Sequence, residues 1–179
     1  MAEEKKEKWT NYLAITTVLI AVCATLSTFK GSGYSNKSLM SQAKASDQWS
    51  FYQAKSMKGY IFQMQKDKFE LESELIAKSK GSEDIIAKYK AKIDDYGKKI
   101  KQYEIDKEQI TNEAKKFEAE KEEFKIHSAA FGEAVIFLQI SILLSSISML
   151  AKRKNVWYLS LIVGAMGAFY FFNGFFLFI

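Results

Sequence analysis

Residues 86–131 read IAKYKAKIDDYGKKIKQYEIDKEQITNEAKKFEAEKEEFKIHSAAF, and the spacing within this stretch decides the fold. Tyr89, Tyr96, Tyr103, Ile110, Phe117, Phe124 and Phe131 recur every seven residues. Ile86, Ile93, Ile100, Lys107, Ala114, Lys121 and Ser128 each stand three residues before them. An alternation of three and four sustained for six repeats is an a/d heptad, here aromatic at d and carrying lysine at two a positions. The stretch is expected to be one long helix that packs along a single seam.

Its partner is expected immediately upstream. The chain has no proline, so helices can run long. The strongest internal break is Lys80-Gly81-Ser82-Glu83-Asp84. Its glycine suits a helix end, its serine can cap the next helix, and its two acids favour the positive end of that helix dipole. A turn near 80–83 makes the two arms equal: 51 residues from Lys30 to Gly81 and 50 from Gly81 to Phe131. The expected element is an antiparallel coiled-coil hairpin over residues 34–130. Roughly 48 helical residues per arm would extend about 70 Å at about 1.5 Å per residue.

The outgoing arm is apolar over more of its surface than one partner can cover. Met57, Met64 and Leu71 form one stripe, Ala54, Ile61 and Leu75 a second, and Phe62, Phe69 and Ile76 a third. Trp49, Phe51, Tyr52, Tyr60 and Phe62 point around most of the helix. A lone hairpin would leave large apolar area in water, so the expectation is a homo-oligomer, with self-association covering what the second arm does not.

Beyond the hairpin lie three uncharged runs, Trp9 to Phe29, Ala134 to Ala151 and Asn155 to Ile179, of 21, 18 and 25 residues. Each is long enough to cross about 30 Å of hydrocarbon as a helix. The chain therefore reads as an all-α membrane protein with three transmembrane helices. Residues 1–33 form the N-terminal tail and first span, 34–130 the hairpin, and 131–179 the second and third spans. Lys152-Arg153-Lys154, between the last two spans, and the lysines at 5, 6 and 8 belong on the cytoplasmic side. The hairpin and Ile179 are then expected outside, and the first span acts as an uncleaved signal anchor rather than a cleaved export signal. So little chain remains in the cytoplasm that an output domain is not expected there.

Composition removes several functions. Of 179 residues, 48% are hydrophobic and 26% charged, with net charge +5 and a pI near 9.1. The positive surplus is spread thinly and the single arginine lies in the basic turn, so nucleic acid is not an expected partner. Cys23 stands alone, within the first run, as a packing or lipid-facing residue. With one histidine, His127, and no nucleophile–base set, phosphate loop or metal-ligand motif, no catalytic residue, cofactor site or metal site is expected. The paired acids Asp94-Asp95 and Glu122-Glu123 read as solvated helix surface.

Just outside the first span, Gly31-Ser-Gly-Tyr-Ser-Asn36 leads to Ser41-Gln-Ala-Lys-Ala-Ser-Asp-Gln-Trp-Ser-Phe-Tyr-Gln-Ala-Lys-Ser-Met-Lys58. Asp47, Gln53, Lys55 and Lys58 alternate there with Trp49, Phe51 and Tyr52. These seven are the candidate collar, either a polar and aromatic layer that fixes subunit register or a dock for a partner protein or lipid headgroups. This stretch, with Ala45, Asp47, Trp49, Tyr52, Gln53, Ala54, Lys55 and Lys58 at its core, also resembles the DUF4337 family of bacterial inner-membrane proteins, whose order of one span, a helical region and two closing spans is similar. The resemblance implies a bacterial inner-membrane location and no particular reaction.

Glu133, Gln139 and Ser145 are the candidate polar groups of the second span, with Ser141, Ser146 and Ser148 beside them. Intramembrane ionisable groups are functional suspects, while serines commonly serve helix packing. In the third span Gly164, Ala165, Gly167, Ala168 and Gly174 suggest close helix contact, and Phe169 to Phe178 is expected to face lipid. The expected function is a non-enzymatic scaffold or assembly subunit of the inner membrane with a periplasmic arm. Its partners would be itself, membrane lipids and another envelope protein. The alternative is an oligomeric channel or ion-coupled transport accessory with the second span lining a pore.

Overall fold

A computed structural model describes residues 8–79 and 83–178. They form three helices and, among the described residues, no strand: α1 is Lys8–Lys78, α2 is Glu83–Ala151 and α3 is Lys154–Phe176. All three contain a stretch long and apolar enough to cross a membrane. With no proline to remove a donor, the helices of 71 and 69 residues run unbroken through Gly31, Gly33, Gly97 and Gly132. Lys80, Gly81 and Ser82 of the expected turn lie outside the described residues. On either side, α1 ends at Lys78, and Glu83 and Asp84 occupy the first turn of α2.

The helices sort into two compact units, residues 1–40 with 120–179, and residues 41–119. In the second unit one stripe of α1 meets the d residues of α2. Phe62 packs on Tyr96 and Tyr103 with ring centroids 5.3 and 5.8 Å apart, and Phe69 packs on Tyr89 and Tyr96 at 5.5 and 5.6 Å. Ala114 is fully buried at an a position. Another a residue here, Lys107, lays its stem along the seam and brings Nζ to 5.7 Å from the Tyr52 ring and 2.7 Å from Glu104. Lysine at a is thus accommodated by aromatic faces and a local carboxylate.

The first unit is built from small side chains. Beside Ala130, its buried positions on α2 are Phe131, Ala134, Leu138, Ser141, Ser145 and Ser148. They alternate by three and four, so the seven-residue count that starts at Tyr89 continues through Phe131 to Leu138 and Ser145. Opposite them lie Gly164, Gly167 and Gly174 of α3, all buried. A Cβ built on Gly167 would stand 2.7 Å from Leu138 Cγ and 3.0 Å from the Leu138 backbone nitrogen, and one on Gly174 would stand 2.8 Å from the Phe131 ring. Only glycine permits this approach. Ala24 of α1 closes the cluster with Ala134 and Leu138.

The aromatic end of α3 does not present one uniform face. Phe169, Phe172, Phe176 and Phe178 are exposed, as expected for lipid-facing residues, whereas Asn173 and Gly174 are buried and Phe175 packs edge-on against Phe131 at 5.0 Å. Helical periodicity turns the intervening residues inward.

Candidate functional site

Two groups of side chains came from sequence as candidates, and each is resolved within one unit. In the collar, α1 directs Trp49, Tyr52 and Lys55 towards α2. Trp49 Nε1 donates to Glu118 at 2.9 Å, and Lys55 Nζ lies 2.5 Å from Asp106 and 5.1 Å from the Tyr103 ring centre. Gln102 also donates to Asp106, at 2.8 Å. The Lys55 ammonium, followed by Gln102, holds the Asp106 carboxyl below its ordinary value. Asp47, Phe51, Gln53 and Lys58 are exposed on the remaining faces of the same turns. The seven residues thus divide into three that join the two helices and four that face outward.

The polar groups of the second span divide in the same way. Ser145 is buried and donates to Ser160 Oγ at 3.1 Å, Ser141 donates to the Ser160 carbonyl at 2.6 Å, and Ser148 donates to the Arg153 carbonyl at 2.9 Å. Ser148 also accepts the Arg153 backbone N–H through its own carbonyl. One residue thereby ties the two-residue connection between α2 and α3, where Lys152 adopts φ 51°. Glu133 and Gln139 are exposed on the other side of α2. Hydroxyls on the first span are satisfied within the helix: Thr17, Thr25, Ser27 and Thr28 each donate to the carbonyl four residues back. Such bonds remove the cost of a bare hydroxyl in hydrocarbon.

A third cluster escaped sequence reasoning. His127 Nδ1 lies 2.8 Å from the Gly174 carbonyl, which can only accept, so Nδ1 carries the proton. The imidazole stacks on Tyr34 at 4.5 Å, Tyr34 also stacks near Phe131, and Ser128 donates to the Gly31 carbonyl at 3.0 Å. His127 thus satisfies one of the last carbonyls of α3 and joins all three helices at one point. The available signal was its position, one helical turn before Phe131 on the same face.

Among the described residues no group of three or more His, Cys, Asp or Glu side chains is placed to hold a metal ion. An open groove of about 280 Å³ runs between α1 and α2, lined by Ser27, Thr28, Gly31, Ser128, Phe131 and Gly132. Of its hydroxyls, those of Ser27, Thr28 and Ser128 donate to backbone carbonyls, and those of Ser32 and Ser35 also line it.

These arrangements define an all-α protein whose three helices are long and apolar enough to cross a membrane, consistent with a membrane protein. The chain belongs to the DUF4337 family, a domain of unknown function, which it matches over residues 9–177. No protein of curated function and no solved structure matches it.

Proposed function

We propose that this chain is a non-enzymatic, self-associating scaffold or assembly subunit of the bacterial inner membrane, with its N-terminus in the cytoplasm and residues 34–130 forming a periplasmic antiparallel coiled-coil arm. Residues 1–33 supply the tail and first span, and residues 131–179 the closing pair of spans. The antiparallel arm is supported by the order of the contacts: Trp49 meets Glu118, Lys55 meets Asp106 and Phe69 meets Tyr89, so partners descend α2 as they climb α1. The orientation rests on Lys152-Arg153-Lys154, a basic turn that is costly to translocate.

The observation that carries self-association is the stripe left open on α1. Met57, Met64 and Leu71 are 63%, 66% and 64% exposed, one heptad apart, with Ile61 and Leu75 exposed beside them. In water such a stripe is stabilised by burial at about 25 cal/mol per Å², and a second copy presents the same stripe. The outward collar residues Asp47, Phe51, Gln53 and Lys58 continue around that helix and suit either register between copies or contact with another envelope protein. Lipids are the partner of the spans.

The test is the mass of the full chain in mild detergent. A defined oligomer of one polypeptide is expected, reduced towards monomer when Met57, Met64 and Leu71 are all changed to Lys. A wild-type chain that is monomeric at every concentration rejects the reading. The channel alternative rests on Glu133 and Gln139, since the buried serines are occupied by intrachain bonds. It requires that Glu133→Gln alter conductance in a reconstituted bilayer.

A further inference from the structure

The second span carries two heptad seams. The inner one, Phe131 to Ser148, is filled by the chain's own α1 and α3. The outer one lies roughly opposite: Ile136, Gln139, Leu143, Ser146 and Leu150 are spaced three, four, three and four apart, and all are exposed. Ile136, Leu143 and Leu150 are 57%, 63% and 87% exposed. Four residues before Ile136 the seam reaches Gly132, where a Cβ would meet nothing within 4 Å. Ser146 returns its hydroxyl to the Ile142 carbonyl at 2.9 Å. Gln139 has no such recourse, and its amide has no hydrogen-bond partner among the described residues.

We propose that this outer seam receives a second, parallel copy of the same chain, with the Gln139 amides of the two copies hydrogen-bonded to each other. The proposal rests on the self-association reading above and assigns it a place. Three features commit the face to a second copy. An amide among Ile and Leu side chains gains nothing from lipid tails, which neither donate nor accept. Copies inserted in one orientation are parallel, so a seam meets itself in register and Gln139 meets Gln139 at the same depth. A carboxamide both donates and accepts, so two of them satisfy each other where a charged group would repel its twin. A polar residue free to pair across an a/d seam, as Gln139 is and the self-bonded Ser146 is not, is also how parallel helix pairs fix register and number. Glu133 flanks the seam at the boundary of the apolar run, where water screens it.

Full-length chain in native membranes, with Cys23→Ser, tests this by oxidative crosslinking of single cysteines. Ile136→Cys, Gln139→Cys and Leu143→Cys are expected to give covalent dimer in high yield. Val18→Cys and Ile162→Cys, equally exposed on α1 and α3, are expected to give little. In detergent, Gln139→Leu on the otherwise unaltered chain is expected to weaken association by about 3- to 20-fold, with Gln139→Asn retaining most of it. An oligomer that crosslinks only through Val18 or Ile162 overturns the seam while leaving self-association intact. A monomer at every position overturns both. Crosslinking of Gln139→Cys to a different polypeptide, or undiminished association of Gln139→Leu, overturns the seam.

Discussion

The two compact units solve helix packing with opposite side chains. In residues 41–119 the helices are held by Phe62, Phe69, Tyr89, Tyr96 and Tyr103 with lysine ammonium groups over the rings, as at Lys92 on Phe69 and Lys99 on Phe62. In the other unit Gly164, Gly167 and Gly174, with Ala134 and serines, let the helices close directly onto one another around Phe131 and Leu138. One seven-residue count runs through both, so the periodicity is shared and only the filling changes. In water, large rings remove the most apolar area for each position. Against hydrocarbon that gain vanishes, and close backbone approach with hydrogen bonds takes its place.

Glycine substitutions in the two units are expected to have opposite effects. Gly167→Leu forces side-chain atoms into Leu138 and is expected to destabilise the chain by about 3 kcal/mol, read as loss of resistance to denaturing detergent. Gly97, with nothing within 4 Å of a built Cβ, is the control. Gly97→Ala is expected to be neutral or to stabilise by up to about 1 kcal/mol through helix propensity. Equal loss at both positions would remove the distinction between units.

Removing one ring and one hydroxyl is expected to have smaller effects. Phe62→Ala deletes a ring that touches two tyrosines and is expected to cost about 2 kcal/mol in chemical unfolding followed by circular dichroism. Ser141→Ala, which removes a hydrogen bond to the Ser160 carbonyl, is expected to cost about 1 kcal/mol. A serine loss exceeding the phenylalanine loss would mean that hydrogen bonding, rather than area, dominates the whole molecule.

The smallest effect belongs to Lys55 and Asp106. The Asp106 carboxyl titrates below the ordinary 3.8 in the folded chain, so the unfolded chain takes up its proton first as pH falls. Its contribution is complete above that ordinary value and fades as pH drops through the lower folded one. The stability difference between wild type and Asp106→Asn is therefore expected to shrink as pH falls below the ordinary 3.8, and to shrink at high salt at neutral pH because the pair is partly solvated.

Sequence carried the helices and much of the seam because both are periodic. Heptads placed Tyr89 to Phe131 on one face, and the glycines of the third span announced close contact that Gly164, Gly167 and Gly174 make. Ranking the three apolar stripes of α1 was harder, since Phe62, Phe69 and Ile76 differ from Met57, Met64 and Leu71 only in rotation about the same helix. Pairing across long separations was not legible. Nothing local in His127 points to a carbonyl 47 residues away, and the serines of the second span give no sign of which will bond Ser160. The exposed Gln139 was visible as polar, but its direction needed the neighbouring helices.

The three tryptophans fall in distinct surroundings, and this gives the molecule its own optical reporters. Trp9 and Trp157 lie together, ring centroids 6.3 Å apart, in the glycine- and serine-packed unit, while Trp49 stands beside the Glu118 carboxylate in the ring-packed one. Emission from the first pair responds to separation of α1 from α3, and emission from Trp49 to parting of α1 from α2. Replacing Trp49 with Phe, or Trp9 and Trp157 together, isolates either signal. The two halves of the chain can then be watched coming apart separately, without any added dye.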